Sequence, residues 1–145
     1  MPKCVTEDFT LNVPADWADK SMITWVAPNN GKREVLPNIL CSKDVLGKGE
    51  TLDSFVNRQL KELMNKVQNF DLVKRENGEF GGKPAVILQF CMKPQETMLQ
   101  QQQVFFQTKP TSKVVNTVVA TAAKRDFADL EKTFNAIFGS VSWTS

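Results

Sequence analysis

The sequence predicts an α+β protein: a single, mostly antiparallel β-sheet with two main helices on one face. Three observations lead there. Ser21–Asn30, Pro84–Met92, Thr97–Thr108 and Val114–Ala123 are rich in β-branched, aromatic and amide residues, the composition of strands. The last three follow one another through the short links Lys93–Glu96 and Lys109–Lys113, as in an antiparallel meander. Leu52–Gln68 and Phe127–Phe138 instead repeat apolar residues at helical spacing, so each must bury one stripe against the sheet.

The elements follow in order. Asp8–Val13 sets Phe9, Leu11 and Val13 against polar residues, the alternation of a half-buried strand, and Pro14 ends it. Asp16-Trp17-Ala18-Asp19 turns the chain into a strand over Ser21–Ala27, which Pro28-Asn29-Asn30-Gly31 closes. A third strand covers about Asn38–Lys43, and Gly47–Glu50 is a loop. The first helix then runs Leu52–Gln68. Thr51 is placed to cap it, and Asp53 complements the positive end of its dipole. Its apolar positions form two stripes, Leu52, Val56, Leu60 and Met64 beside Phe55, Leu63 and Val67. Gln59 lies in the second, one turn from Phe55 and Leu63. Asp71–Glu76 reads as a strand, Asn77-Gly78 as a hairpin turn and Gly81-Gly82-Lys83-Pro84 as a second turn. After the meander, Asp126 caps a helix with the stripe Phe127, Leu130, Phe134, Ile137 and Phe138, ended by Gly139.

The four strand-like stretches hold no Lys, Arg, Asp or Glu, although charged residues are 23% of the chain. A sheet with one wet face alternates apolar with charged or polar positions. Here the positions that should be wet carry Gln, Asn, Thr, Met and aliphatics, which suits a face that binds something apolar or a second copy of the chain. Gln and Thr would meet the small polar groups that membrane-spanning helices offer one another. A homodimer interface, or loops and termini laid over the face, would produce the same composition.

Bulk properties narrow the function. The 145 residues make one domain, 1–145, with a core of useful size. A formal charge of +2 with Lys and Arg dispersed among acids (Lys32-Arg33-Glu34, Lys124-Arg125-Asp126) does not fit nucleic-acid binding. The N-terminus has no apolar leader and no run near the ~20 residues of a membrane span, so a cytoplasmic protein without membrane anchoring is expected. Cys4, Cys41 and Cys91 are too few and too scattered for a disulfide framework. The absence of histidine removes the commonest general base and metal ligand. Gly78-Glu79-Phe80-Gly81-Gly82-Lys83 lacks phosphate-loop spacing, and no acid or Cys cluster has metal-ligand spacing. No catalysis, cofactor or metal is expected.

The order of features resembles a known family. Phe9-Thr10-Leu11-Asn12-Val13-Pro14-Ala15-Asp16-Trp17-Ala18-Asp19 is similar to the F-x-L-x-x-P-x-x-W-x-D opening of the DcrB-like family. Phe70-Asp71-Leu72-Val73 and the turn Gly82-Lys83-Pro84-Ala85 fit the same pattern, as do the Gln-rich strand and the aromatic C-terminal helix. With no leader and no lipobox, the chain looks most like the cytoplasmic branch, the Eag chaperones of bacterial type VI secretion. The resemblance implies a Mog1/PsbP-like fold. It also implies a homodimer whose concave sheet faces hold the N-terminal transmembrane segments of an effector and aid its loading onto the VgrG spike. The matching client-binding positions are Met22, Thr24, Ile39, Gln59, Leu63 and Gln102, Thr24 departing from the aliphatic residue expected there. The rival readings are a non-catalytic Mog1-like module that binds a folded partner and a histidine-free enzyme acting on a small apolar substrate.

Overall fold

The computed structural model describes residues 3–143. The chain runs through strands β1 (Lys3–Val5), β2 (Thr10–Asn12), β3 (Met22–Val26) and β4 (Asn38–Val45) to helix α1 (Leu52–Lys66). Strands β5 (Asp71–Phe80), β6 (Lys83–Met92), β7 (Leu99–Phe106) and β8 (Val114–Ala123) follow, then helix α2 (Lys124–Gly139). Six strands form one antiparallel sheet in the order β3-β4-β8-β7-β6-β5. The long central strands β6, β7 and β8 are the meander expected from the sequence, and the α+β class stands.

The helices, however, lie on opposite faces of the sheet. Side chains alternate along a strand, and residues paired across an antiparallel ladder share a face. Phe55 and Val56 of α1 pack on Val86, Leu88 and Phe90 of β6, Phe105 of β7 and Val115 of β8. Phe127 and Phe134 of α2 pack on Ala120 and Ala122, the alternate positions of β8. Phe138 joins Phe80, Ala85, Val104 and Phe106, again the alternate set. Past Lys83 at the start of β6, strands β6 to β8 are therefore uncharged because helices pack on them from both sides. Amphipathic stripes show that each helix must bury one side, but not which face of the sheet receives it.

Several local features depart from the sequence reading. β1 and β2 form a ribbon separate from the main sheet, and Phe9 and Leu11 are exposed rather than half-buried. Asn77 and Gly78 lie inside β5, paired with Val86 and Ala85. A Cβ at Gly78 would stand 3.0 Å from Cδ1 of Ile87, so the bare glycine leaves room for a cross-strand neighbour, not a turn. The β5–β6 turn is the second of the two expected, at Gly81 and Gly82, whose φ angles of 58° and 83° favour glycine. Helix α2 starts without a side-chain cap at Ala123, and Asp126 sits in its first turn, 3.8 Å from Arg33. Thr51 does cap α1. Its hydroxyl accepts from Ser54 N while Ser54 Oγ accepts from Thr51 N, a reciprocal capping box.

Candidate binding face

Helix α1 lies over the β6–β7 side of its face and leaves β3 and β4 open. On that face β3 presents Met22, Thr24 and Val26, paired with Ser42, Leu40 and Asn38 of β4. Met22, Thr24 and Val26 are exposed, whereas Leu40 and Ser42 are half-buried. Next in the sheet come Thr117, Val119 and Thr121 of β8, then Gln101 and Gln103 of β7. Gln59 projects from the side of α1 toward the same strip. Leu40, Ser42, Gln59, Gln103, Phe105 and Thr117 all line a recess of about 190 Å³ there. The strip thus runs from apolar β3 to a polar seam of amides and hydroxyls at the foot of α1.

Hydrogen bonding leaves part of this seam available. Gln103 Nε2 donates to Gln101 Oε1 at 3.1 Å, which leaves the Gln103 carbonyl oxygen able to accept. Gln59 makes no side-chain hydrogen bond among the described residues. A half-buried amide without a protein partner is satisfied by water or by a ligand. Lys43 and Asp44 also line the recess, and both are held in ion pairs. Lys20 Nζ lies 2.6 Å from Asp44 Oδ1, and Lys43 Nζ lies 3.1 Å from Asp19 Oδ2. The hydrogen bond from Lys20 holds the Asp44 carboxyl below its ordinary range. Asp19 is lowered from 3.8 to about 2, first by the Ser21 hydroxyl, then by the Ser21 amide and Lys43.

The six residues singled out in the sequence do not all share this face. Met22, Thr24, Gln59 and Leu63 lie on the α1 side, Leu63 packing against the core beneath the helix. Ile39 is buried with Phe127 and Phe134 under α2. Gln102 pairs with Ala120 and Gln89 on that same opposite face. The residues that occupy the corresponding places on the open face are their neighbours Leu40 and Gln103. Parity is the reason: shifting a strand by one residue sends every side chain to the other face. The buried Phe105, one alternation from Gln103 and packed beneath α1, is the signal that fixes it.

The α2 face holds two further apolar recesses that share Ile39 and Ile137. One, of about 270 Å³, is lined by Cys41, Phe106, Val118 and Phe138; the other, of about 280 Å³, by Trp25, Pro37 and Phe134. Burial pushes the thiols of Cys41 and Cys91 up from their ordinary value, so neither is an activated nucleophile. No group of three or more His, Cys, Asp or Glu side chains able to hold a metal occurs among the described residues. No helix among them is long and apolar enough to cross a membrane.

The DcrB family model matches residues 9–140. The chain belongs to the DcrB family. Among solved structures it is similar to PA94 of Pseudomonas aeruginosa, a protein of unknown function. That match has a TM-score of 0.84 and 21% identity, and covers 100% of this chain and 98% of that one. LpqN of Mycobacterium tuberculosis, involved in cell envelope biogenesis, matches with a TM-score of 0.57 and 16% identity over 88% of this chain and 78% of that one. The cyanobacterial PsbP (CyanoP) of Synechocystis sp. PCC 6803 matches with a TM-score of 0.52 and 8% identity, over 90% and 96%. These likenesses establish a Mog1/PsbP-like fold. No curated protein matches the chain.

Proposed function

We propose that this DcrB-family protein is a non-enzymatic chaperone and adaptor for membrane-inserting segments. In this reading it binds the N-terminal transmembrane segments of a type VI secretion effector in the bacterial cytoplasm. It shields them from water and aids loading of the effector onto the VgrG spike. The observation that carries the reading is the open strip on the α1 face. Its apolar β3 border, Met22 and Val26, stands beside a seam of uncharged hydrogen-bonding groups, Gln59, Gln103 and Thr117. An ordinary wet sheet surface would carry charge there, and a purely apolar one would aggregate.

The mechanism is passive. Each apolar group of the client that leaves water contributes about 25 cal/mol per Å² before ordering costs, while the amides and hydroxyls satisfy polar atoms on the bound helix. The charges beside the recess are held in ion pairs, which lowers the cost of covering them. Release then requires a competing apolar sink such as the target membrane.

The test is co-purification from the native cytosol, with partners identified by mass spectrometry. The reading predicts a dominant partner with apolar N-terminal segments, lost when those segments are deleted or when Gln59→Glu or Leu40→Glu is introduced. Gln102→Glu, on the opposite face, should retain it. Capture only of folded partners lacking such segments would replace the reading with a Mog1-like regulatory module.

A further inference from the structure

Exposed apolar surface is concentrated in one part of the chain. Among the described residues, Val5, Phe9, Leu11, Trp17, Met22, Ile23, Trp25 and Val26 are all more than half exposed. Four of these belong to β3, an edge strand of the sheet hydrogen-bonded only to β4. Val5, Phe9 and Leu11 lie on or beside the β1–β2 ribbon, whose two strands pair only with each other. A two-stranded ribbon by itself is marginal in water and gains stability by joining a larger sheet.

Each of these two edges leaves a definite set of backbone groups free. Thr6 N donates to Phe9 O at 2.9 Å, which fixes the alternation of the ribbon: the Cys4–Leu11 pair is hydrogen-bonded, while Val5–Thr10 and Lys3–Asn12 are not. The N–H and C=O groups of Thr10 and Asn12 therefore point away from β1. Ala27 N donates to Pro37 O at 2.8 Å, and the same alternation turns the N–H and C=O groups of Met22, Thr24 and Val26 away from β4.

We propose that the β1–β2 ribbon is a closing arm for the sheet, with β2 adding antiparallel to the free edge of β3. One register joins the two free ladders. Thr10 bonds to Thr24 and Asn12 to Met22. The non-hydrogen-bonded pairs, where side chains come closest, are then Leu11 with Ile23 and Phe9 with Trp25. Four exposed apolar side chains thus cover one another, and Thr–Thr and aromatic–aromatic pairs are among the favourable cross-strand neighbours. A shift of two residues would instead set Pro14, which has no N–H, against Met22. Residues 13–21 join the strands and can span up to roughly 30 Å, ample for the step of about 5 Å between neighbouring strands.

Closure gives the sheet two protected edges. β5 already carries Asp71, Lys74, Arg75, Glu76 and Glu79 and breaks register between Leu72 and Lys74, features that keep other strands away. β3 has neither charge nor break, and the arm takes their place. Ile23 and Trp25 face the α2 side, so Phe9 and Leu11 join them there. Val5, paired with Thr10, falls on the α1 side with Met22 and Val26 and widens the apolar border of the open strip. The strip itself stays uncovered. The inference rests on the two free edges and stands whether or not the chaperone reading does.

The experiment is amide hydrogen exchange of the full chain by nuclear magnetic resonance, at two protein concentrations, beside the variant Thr10→Pro. Proline at position 10 removes an N–H that the separate ribbon does not use but the closed arm does. The expected result is exchange at Thr24 about tenfold slower in the unaltered chain than in Thr10→Pro, at both concentrations. In a Cys4→Ser background, Leu11→Cys with Ile23→Cys should also form an intrachain disulfide on mild oxidation. Fast exchange at Thr24 in the unaltered chain overturns the proposal, as does slow exchange that Thr10→Pro leaves unchanged. Protection that grows with concentration, or a disulfide formed between chains, also overturns it and assigns the β3 edge to another molecule.

Discussion

Replacing Gly81 by alanine should unlock the C-terminal segment from the sheet. Gly81 has φ 58°, a left-handed conformation that costs a side-chain-bearing residue about 1 kcal/mol. Its new Cβ would lie 2.6 Å from Val141 Cγ1 and 2.9 Å from Trp143 Cζ2, so those side chains must move. Trp143 now donates from Nε1 to the Gly81 carbonyl at 2.9 Å and meets Phe80 and Phe106 edge-on at ring distances of 6.0 and 5.6 Å. Lys83 Nζ stands 4.7 Å over the indole. Losing the hydrogen bond costs about 1 kcal/mol, the aromatic contacts about 1 and the cation–π contact about 0.5. Gly81→Ala should therefore cost about 3.5 kcal/mol. Gly82→Ala is the internal control, with φ 83° but nothing within 4 Å of a Cβ, and should cost only about 1. The gap of about 2.5 kcal/mol is measurable by urea denaturation, and it should shrink when Trp143→Ala is present in both backgrounds. Equal losses in the two alanine variants would refute the argument that the C-terminal segment is packed onto this turn.

Three further outcomes follow from the same structure. Thr51→Ala removes the capping hydroxyl of α1 and should lower stability by about 1 kcal/mol in urea denaturation, whereas Asp126→Ala should not show the loss of a cap, because α2 has none. Asp19 has a folded-state pKa of about 2 against an ordinary 3.8. Its contribution is therefore present above about 3.8 and fades as pH falls toward 2, and Asp19→Asn should flatten that part of a stability-versus-pH curve. The effect is small because the carboxylate is half exposed and screened by solvent. Cys91 is buried beneath the sheet's covering, so thiol-reactive reagents at neutral pH should label it only after denaturation, and faster labelling in the native state would contradict its placement.

Much of the fold was legible because periodicity reports local burial directly. The Thr51 cap, the Leu52 start of α1 and the three-strand meander follow from residue spacing and turn residues. What spacing does not carry is the side of the sheet on which each helix lands. The missing charges beyond Lys83 in β6 to β8 read as an open face, yet α1 and α2 cover much of those strands from both sides. In β3 the same absence of charge does mark an open surface, since all five of its residues are exposed. Composition alone does not separate these cases, because both a doubly covered strand and an exposed binding edge exclude charge. The six residues singled out divide between the two faces for a related reason. Met22, Thr24, Gln59 and Leu63 fall on the α1 side, while Ile39 and Gln102 lie on the α2 side, one residue of strand parity away from Leu40 and Gln103.

The most direct measurement is nuclear magnetic resonance of the labelled full chain titrated with a lysine-flanked, Leu/Ala-rich helical peptide of about 20 residues. The account predicts that the largest shifts fall on Met22, Leu40, Gln59 and Gln103, with Ile39 and Gln102 little changed. Shifts centred instead on Trp25, Cys41 and Ile137 would move the binding surface to the α2 face, and an unaltered spectrum at saturating peptide would contradict the α1-face site altogether.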